Sequence, residues 1–238
     1  MFMKKKYFIL LTILTLYHTN CKSQLTNTSD YLNGIKSDLR EEWPKNRTIN
    51  LVFHGHSVPA GYFKTPTVNT LESYPFLVLK KLKAIYPHAV INIINTSIGG
   101  ENSVSGKKRF KSDVLTHKPD VLFMDYALND RRVGLDKAYK AWSRMISKAS
   151  KAGVKIILLT PSPDQRVDIL EPSNELEQHS EQIKRLSKEN DIGLIDSYTL
   201  FKNKILMGDE ISTYMSQINH PNKKGHQLIT DEIIKFFE

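Results

Sequence analysis

The sequence contains a single cysteine, Cys21, so one chain has no pair of thiols from which an internal disulfide could form. The first 20 residues contain no acidic residue, and the apolar run that they carry, residues 7–17, is only 11 residues long. A transmembrane helix needs about 20 apolar residues. The run is therefore too short to cross a bilayer as a helix.

The N-terminus carries instead the pattern of an export signal. Three lysines at positions 4–6 precede the apolar run, as in the basic region of a signal peptide. Cys21 follows shortly afterwards, at a position that resembles the lipidation site of bacterial lipoproteins, although residues 18–20 differ from the usual small-residue lipobox. We predict export with a lipid anchor on Cys21. An ordinarily cleaved signal peptide and an uncleaved anchor are the alternatives.

The domain organisation follows from this pattern. Residues 1–20 are predicted as the signal peptide, residues 21–30 as a polar tether, and residues 31–238 as one domain. The predicted location is the periplasm or the cell envelope, and the predicted link to a membrane is the lipid anchor.

The basic charge of the chain does not have the pattern of a nucleic-acid-binding surface. The formal net charge is +9, but the lysines are scattered and no arginine-rich stripe alternates with aromatic residues. We therefore predict no nucleic-acid partner and a solvated basic surface.

Short apolar runs alternate with helical patterns along the whole domain. Hydrophobic residues make up 40% of the 238-residue chain and charged residues 25%, which is typical of a globular protein. The predicted strands cover residues 50–53, 89–94, 121–126, 154–159 and 193–195. The alternation predicts an α/β domain with a parallel sheet between two helical layers.

Three of these strands end in polar, glycine-rich or asparagine-bearing turns, and a histidine precedes the final helix. Ser57 follows the first strand, Gly100 the second and Asn129 the third, and the carboxyl ends of parallel strands meet at one edge of the sheet. A loop can return His220 to that edge. Ser57 is thus the candidate nucleophile and His220 its base. The backbone N–H groups of Ser57 and Gly100 and the amide of Asn129 are candidate oxyanion donors.

These four segments resemble, in order and spacing, the four blocks of the SGNH or GDSL-type hydrolase superfamily. The resemblance implies a three-layer α/β/α sandwich of the flavodoxin-like type with about five parallel strands. It also implies an esterase, lipase, thioesterase or carbohydrate deacetylase that works through an acyl-enzyme without a metal or cofactor. The Gly-x-Ser-x-Gly elbow of ordinary α/β-hydrolases is disfavoured because Pro59 occupies the final glycine position.

Three positions depart from the pattern of this superfamily. His56 stands in place of the aspartate of Gly-Asp-Ser, and Ala127 in place of the glycine of the third block. Gln217 stands three residues before His220, where the family has its catalytic aspartate. An amide oxygen can select the tautomer of a histidine, but it supplies no charge. The candidates for orienting His220 are Gln217, Asp209, Glu210 and Asp164, and a Ser–His dyad is a further possibility.

Two other functions compete with the serine esterase. The departures at His56 and Gln217 are compatible with a catalytically impaired binding protein of the same fold. His54 and His56, on one face of a strand, could share a metal in a metal hydrolase, although we favour a structural role for both. Arg131 and Arg132 are either contacts for an acidic or sugar substrate, or surface charges and partners of Asp130.

The sequence therefore predicts an exported serine esterase that cleaves an ester through an acyl-enzyme. An O-acetylated carbohydrate is the first expectation for the substrate, and a lipid or short-chain ester is the second. Both rest on analogy with the superfamily.

Overall fold

The computed structural model describes residues 28–238. The predicted signal peptide 1–20, the predicted lipidation site Cys21 and most of the predicted tether 21–30 lie outside the described residues. The first helix, α1 (Thr28–Tyr31), begins inside the last part of that tether. None of the helices in the described range combines the length and apolarity that crossing a bilayer requires.

Five parallel strands form the central sheet, as the sequence predicts, in the order β2-β1-β3-β4-β5. The strands are β1 (Thr48–Gly55), β2 (Val90–Asn95), β3 (Val121–Asp125), β4 (Lys155–Leu159) and β5 (Gly193–Ile195). Pairing places Phe53 of β1 beside Asn95 of β2, and Gly55 beside Asp125 of β3. The carboxyl ends of these three strands therefore lie side by side.

Helices cover both faces of the sheet. Their bounds are α2 (Asn33–Arg40), α3 (Ser57–Ala60), α4 (Tyr74–Ile85), α5 (Ser103–Asp113), α6 (Ala127–Asp130), α7 (Leu135–Lys151), α8 (Glu175–Asn190), α9 (Ser197–Leu206) and α10 (Lys223–Ile234). Helices α4 and α10 pack together on one face, and α5, α7 and α8 pack on the other. This is the three-layer α/β/α sandwich that the superfamily resemblance implies.

Two hydrophobic cores explain why the strands are almost continuously apolar. Leu51 and Phe53 of β1 point into the core with α4 and α10, whereas Val52 between them points into the core with α5 and α7. Successive strand residues face opposite sides of a sheet, so a strand covered on both faces needs apolar residues at every position. The same alternation separates Phe123 from Leu122 on β3.

Polar side chains cap two of the helices at their N-termini. Asn174 caps α8 by accepting hydrogen bonds from the backbone N–H groups of Leu176 and Glu177. Asp196 caps α9 and accepts hydrogen bonds from Thr160 and Thr199.

A small antiparallel pair near the C-terminus is absent from the sequence prediction. Strands β6 (Met215–Gln217) and β7 (His220–Pro221) are only three and two residues long. Segments this short and polar carry no usable alternation of apolar and polar residues, because the pattern needs about four residues or more. The pair belongs to the loop that carries His220.

Gly55 allows β1 to approach β3 closely where the two strands end. A Cβ at this position would lie 2.4 Å from the carbonyl oxygen of Asp125 and 2.8 Å from Cγ of Pro59. The nearest atom belongs to the backbone of a central strand and cannot move aside easily. Gly55 is therefore required by close packing.

We predict that Gly55→Ala lowers the free energy of unfolding by about 1–3 kcal/mol, because overpacking forces the two strands apart. Gly34→Ala is the matched control: Gly34 lies in α2 and a Cβ there would meet nothing within 4 Å. Since alanine favours helix, the control should gain up to about 1 kcal/mol. Urea denaturation measures both values, and equal effects of the two substitutions would contradict the close-approach argument.

Candidate active site

Ser57 is held at the sheet edge by a tight turn between β1 and α3. His56 caps α3 through Nδ1, which accepts a hydrogen bond from the N–H of Val58 at 3.2 Å. Gly61 ends the helix with φ +90°, a conformation that favours glycine. The carbonyl of Ser57 also accepts a hydrogen bond from the N–H of Tyr62. The Ser57 side chain is therefore placed by backbone contacts on both sides.

His220 reaches Ser57 from the far end of the chain. Its Nε2 lies 2.9 Å from Oγ of Ser57, although 163 positions separate the two residues. The hydroxyl of Ser216 donates to the carbonyl of His220 at 3.0 Å, which fixes the β6–β7 turn that presents the ring. The structure therefore brings together the predicted nucleophile and its predicted base at hydrogen-bond distance.

The other ring nitrogen of His220 faces neutral groups. Nδ1 lies 2.9 Å from the carbonyl oxygen of Phe63 and 2.6 Å from Nε2 of Gln217. The amide oxygen of Gln217 accepts the N–H of Thr65 at 3.0 Å, so this oxygen is not the acceptor for the imidazole. Nδ1 serves only one of these two groups at a time. When it carries the proton it donates to the Phe63 carbonyl, which leaves Nε2 free to accept the hydroxyl proton of Ser57; when it does not, it accepts from the Gln217 amide.

The three acidic candidates for orienting His220 have other partners. Asp209 accepts a hydrogen bond from the hydroxyl of Tyr214, and Glu210 accepts one from Ser212. Asp164 is buried and binds two arginines. Within the part of the chain that the structure describes, no hydrogen bond or ion pair joins any of these carboxylates to His220. Gln217 alone among the four predicted candidates contacts the ring.

Burial lowers the pKa of His220 below its ordinary value. The hydrogen bond to Phe63 opposes this change, and repulsion from the His56 ring adds to it. A carboxylate beside the ring would raise the pKa instead. The neutral form of His220, which can accept a proton, therefore persists to a lower pH than in an ordinary histidine.

A second buried imidazole supports the Phe63 segment. His226 of α10 is fully buried and stacks on the Phe63 ring, with centroids 5.0 Å apart. Its Nδ1 accepts the backbone N–H of Tyr74 at 3.2 Å, and burial lowers its pKa to about 3. Neutral His226 therefore packs against the side chain of the residue whose carbonyl faces His220. The sequence analysis missed this role because no motif marks a histidine that packs against a distant loop.

Gly100 lies on the loop after β2 and Asn129 on α6 after β3, and these two strands flank β1. The N–H of Ile98 donates to the carbonyl of Gly55, which brings the loop after β2 against the end of β1. Gly100 has φ +76° and would have no neighbour within 4 Å of a Cβ, so conformation and not space favours glycine there. Asn129 is buried on α6, and its Nδ2 donates to the carbonyl of Glu101 at 2.9 Å. An amide nitrogen carries two hydrogens, so one remains for another acceptor.

Asp130 fixes the position of α6. Its carboxylate accepts the backbone N–H of Ser103 at 2.8 Å and the indole N–H of Trp142 at 2.7 Å. These contacts join α6 to α5 and α7 through one fully buried side chain. Arg131, which the sequence analysis considered as a partner of Asp130, instead pairs with Asp164 and Glu175.

The histidine that replaces the aspartate of Gly-Asp-Ser has a carboxylate beside it. Nε2 of buried His56 lies 3.2 Å from Oδ1 of Asp125, at the end of β3. The other oxygen of Asp125 accepts the hydroxyl of Tyr74 at 3.0 Å. The sequence analysis did not identify Asp125, although an acidic residue at the end of an otherwise apolar strand is a detectable signal.

The ring nitrogens of His54 and His56 face protein groups rather than one another. His54 Nδ1 lies 2.8 Å from Oγ1 of Thr96, and its Nε2 lies 3.3 Å from the carbonyl of Gly106. Burial lowers the pKa of His54 to about 3. Within residues 28–238, no group of three or more His, Cys, Asp or Glu side chains is arranged to hold a metal ion.

Tyr62 stands between the histidine and the glycine loop. Its ring centroid lies 6.1 Å from that of His220, and a Cβ on Gly99 would lie 3.0 Å from the end of the ring. The phenol therefore fills the space from the base to the loop that carries Gly100. This residue is half-buried, so part of it remains accessible to solvent.

The chain is similar to known esterases over most of its length. A family model described as GDSL-like lipase/acylhydrolase matches residues 53–228. An acetylxylan esterase of Geobacillus stearothermophilus is 25% identical over 175 residues, which are 68% of this chain and 79% of that protein. An uncharacterised lipoprotein, YqeF, of Bacillus subtilis (strain 168) is 33% identical over 81 residues, which are 31% of this chain and 33% of the lipoprotein.

A solved structure shows the same fold. The crystal structure of Axe2, an acetylxylan esterase from Geobacillus stearothermophilus, superimposes with a TM-score of 0.69 at 22% identity, covering 79% of this chain and 94% of that one. The family match spans all four blocks, from the segment of Ser57 to that of His220. The predicted superfamily is thereby confirmed. The chain belongs to the GDSL-like lipase/acylhydrolase family and is an ester-cleaving hydrolase.

Proposed function

We propose that this protein is an exported serine esterase that removes acetyl groups from carbohydrate. The observation that carries the proposal is the 2.9 Å contact between Nε2 of His220 and Oγ of Ser57 at the carboxyl edge of the sheet. The similarity to an acetylxylan esterase supports a carbohydrate ester as the substrate. The N-terminal pattern and the similarity to a lipoprotein support export, a tether over residues 21–30 and a lipid anchor on Cys21.

The proposed reaction has two steps. The oxygen of Ser57 attacks the ester carbonyl while His220 takes the hydroxyl proton, and the negative charge develops on the carbonyl oxygen. Backbone N–H groups of Ser57 and Gly100 and the second amide hydrogen of Asn129 are the proposed donors to that oxygen. Collapse breaks the bond to the sugar oxygen, which takes the proton from His220 and leaves an acetyl-enzyme.

Water then completes the cycle. His220 accepts a proton from the attacking water, the oxygen of that water bonds to the acetyl carbon, and the proton returns to Oγ of Ser57 as acetate leaves. During both steps the imidazolium is supported by the Phe63 carbonyl rather than by a carboxylate. A neutral acceptor selects the correct tautomer but stabilises the positive charge less than an aspartate would.

A small acyl group suits the position of Tyr62. The phenol closes the space between His220 and the Gly99–Gly100 turn. In the proposed complex the ester carbonyl is held by the oxyanion donors, and a longer acyl chain would extend into that space. Acetate esters are therefore favoured over the lipid esters that form the second expectation.

We predict that Ser57→Ala lowers kcat/KM for p-nitrophenyl acetate and for acetylated xylo-oligosaccharide by at least about 10³-fold, because it removes the nucleophile. Ser57 should also react with a fluorophosphonate probe in the wild type. Ser37→Ala, at an exposed serine of α2, is the matched control and should keep full activity. Retention of activity and of probe labelling in Ser57→Ala would contradict the proposal.

We predict that the acid limb of the kcat/KM profile of the wild type lies below pH 6.5, the ordinary pKa of histidine. The base must be neutral, and a lowered pKa keeps His220 neutral as the pH falls. Gln217→Asp should place a carboxylate beside Nδ1, move the limb upward by about one pH unit and raise kcat about tenfold.

Gln178→Asp, on the exposed surface of α8, is the control for this change and should leave the profile where it is. NMR titration of the His220 ring measures the same pKa without turnover. A wild-type limb above pH 6.5, or a limb unmoved by Gln217→Asp, would overturn the interpretation that neutral groups, rather than a carboxylate, support the His220 ring.

We predict that Tyr62→Ala relaxes the acyl preference. The ratio of kcat/KM for p-nitrophenyl acetate to that for p-nitrophenyl hexanoate should fall about tenfold, since the wall beside His220 is removed. Tyr62→Phe keeps the ring and should keep the wild-type ratio. An unchanged ratio in Tyr62→Ala would place the acyl group elsewhere.

A further inference from the structure

A basic cavity of about 440 Å³ lies beside the candidate active site. It is lined by Leu128, Arg131, Arg132, Arg166, Val167 and Glu175. One wall comes from the end of α6 and the turn that follows it. The other comes from the loop after β4 and the first residue of α8. Three arginines lie close together in this cavity. Because like charges repel, such a cluster requires negative charges nearby.

Both walls are attached to the residues proposed for catalysis. Leu128 directly precedes Asn129, and Nε of Arg131 donates to the carbonyl of Leu128 at 3.0 Å. On the other side, the N–H of Gln165 donates to the carbonyl of Ile218 at 2.8 Å, and its amide donates to the carbonyl of Gln217. The cavity therefore lies between the element that carries Asn129 and the loop next to that of His220.

A buried carboxylate fixes two of the arginines. Asp164 accepts hydrogen bonds from Nη2 of Arg131 at 2.6 Å and from Nε and Nη2 of Arg166 at 2.9 and 2.6 Å. Burial alone would raise the pKa of Asp164, but the hydrogen bonds from Arg166 and Arg131 outweigh it and lower the pKa to about 2. The carboxylate thus stays ionised and holds both guanidinium groups at all ordinary pH values.

Some of the guanidinium donors remain unused. Arg131 has a partner on each of its three nitrogens, since Nη1 binds Glu175. Nη1 of Arg166 has no hydrogen bond within residues 28–238, and exposed Arg132 has no side-chain partner in that range. Three positive charges face the two negative charges of Asp164 and Glu175. The cavity therefore keeps an excess of one positive charge and two sets of free donors.

We propose that this cavity binds the carboxylate of an acidic sugar residue that neighbours the acetylated residue, through Arg132 and Nη1 of Arg166. The inference rests on the proposed function and narrows its substrate class to acetylated glycans that carry uronic acids. Guanidinium groups bind carboxylates through paired N–H donors, and an arginine already held by Asp164 loses less freedom when it binds. Arg131 is then a positioning residue that fixes the cavity wall.

The first experiment compares kcat/KM at low ionic strength for acetylated xylo-oligosaccharides with and without a glucuronic acid branch. The wild type should favour the acidic substrate about tenfold, and the preference should weaken with added salt. The Arg132→Gln/Arg166→Gln double variant should lose the preference. The Lys140→Gln/Arg144→Gln variant removes the same charge from the exposed face of α7 and should retain it.

A binding measurement separates the failure of the cavity from the failure of the proposed function. Calorimetric titration of the mature protein uses tri-galacturonate, xylotriose and inorganic phosphate, none of which can be deacetylated. Tri-galacturonate should bind about tenfold more weakly to the Arg132→Gln/Arg166→Gln variant than to the wild type, whereas xylotriose should not distinguish the two.

The two experiments together distinguish failure of the cavity proposal from failure of the deacetylase function. Hydrolysis with the same charge preference in the wild type and the Arg132→Gln/Arg166→Gln variant overturns the cavity proposal alone. Arginine-dependent binding of tri-galacturonate without hydrolysis of either oligosaccharide supports the cavity and overturns the deacetylase function. Tighter binding of inorganic phosphate than of tri-galacturonate overturns the carboxylate proposal and assigns the cavity to phosphorylated glycans.

Discussion

The parallel register of β1 between β2 and β3 is the constraint on which the rest of the site depends. It aligns the ends of three strands, and Gly55 lets β1 and β3 approach so closely that a methyl group would collide with backbone. The turns after these strands carry Ser57, Gly100 and Asn129. Two apolar cores, one on each face, keep the sheet in this register, because a shift of one residue would exchange their side chains.

The site differs from the family pattern chiefly in where its charges lie. In the part of the chain that the structure describes, no carboxylate faces Nδ1 of His220; the Phe63 carbonyl and the Gln217 amide do. Carboxylates are present at the same edge of the sheet, but they fix the elements that surround the candidate active site. Asp125 faces His56 behind Ser57, and Asp130 ties α6 to its neighbours. The chain lacks the aspartate of Gly-Asp-Ser, but Asp125 at the end of β3 places a carboxylate beside His56, the residue that replaces it.

The arginine cavity adds positive charges that, by the proposal above, contact the substrate. Asp164 was a sequence candidate for orienting His220, and its contacts with Arg131 and Arg166 give it a different partner. Because the loop of Asp164 also contacts the Gln217–Ile218 segment, the same few residues join the cavity to the candidate active site. The proposed carboxylate subsite and the base His220 would then both be supported by the loop that carries Asp164.

The sequence by itself determined the layer architecture and the identity of the main candidates. Continuous apolar strands, helical patterns and the four ordered blocks depend on local periodicity and motif, so β5 could be placed closely. The contact of His220 with the Phe63 carbonyl was decided only by tertiary structure, because a backbone carbonyl leaves no mark in a sequence. The same holds for the two-residue strand that presents His220, for the stacking of His226 and for the pairing of Asp125 with His56. The contacts of Phe63, His226 and Asp125 join residues that are distant along the chain, and no local pattern specifies which distant groups meet.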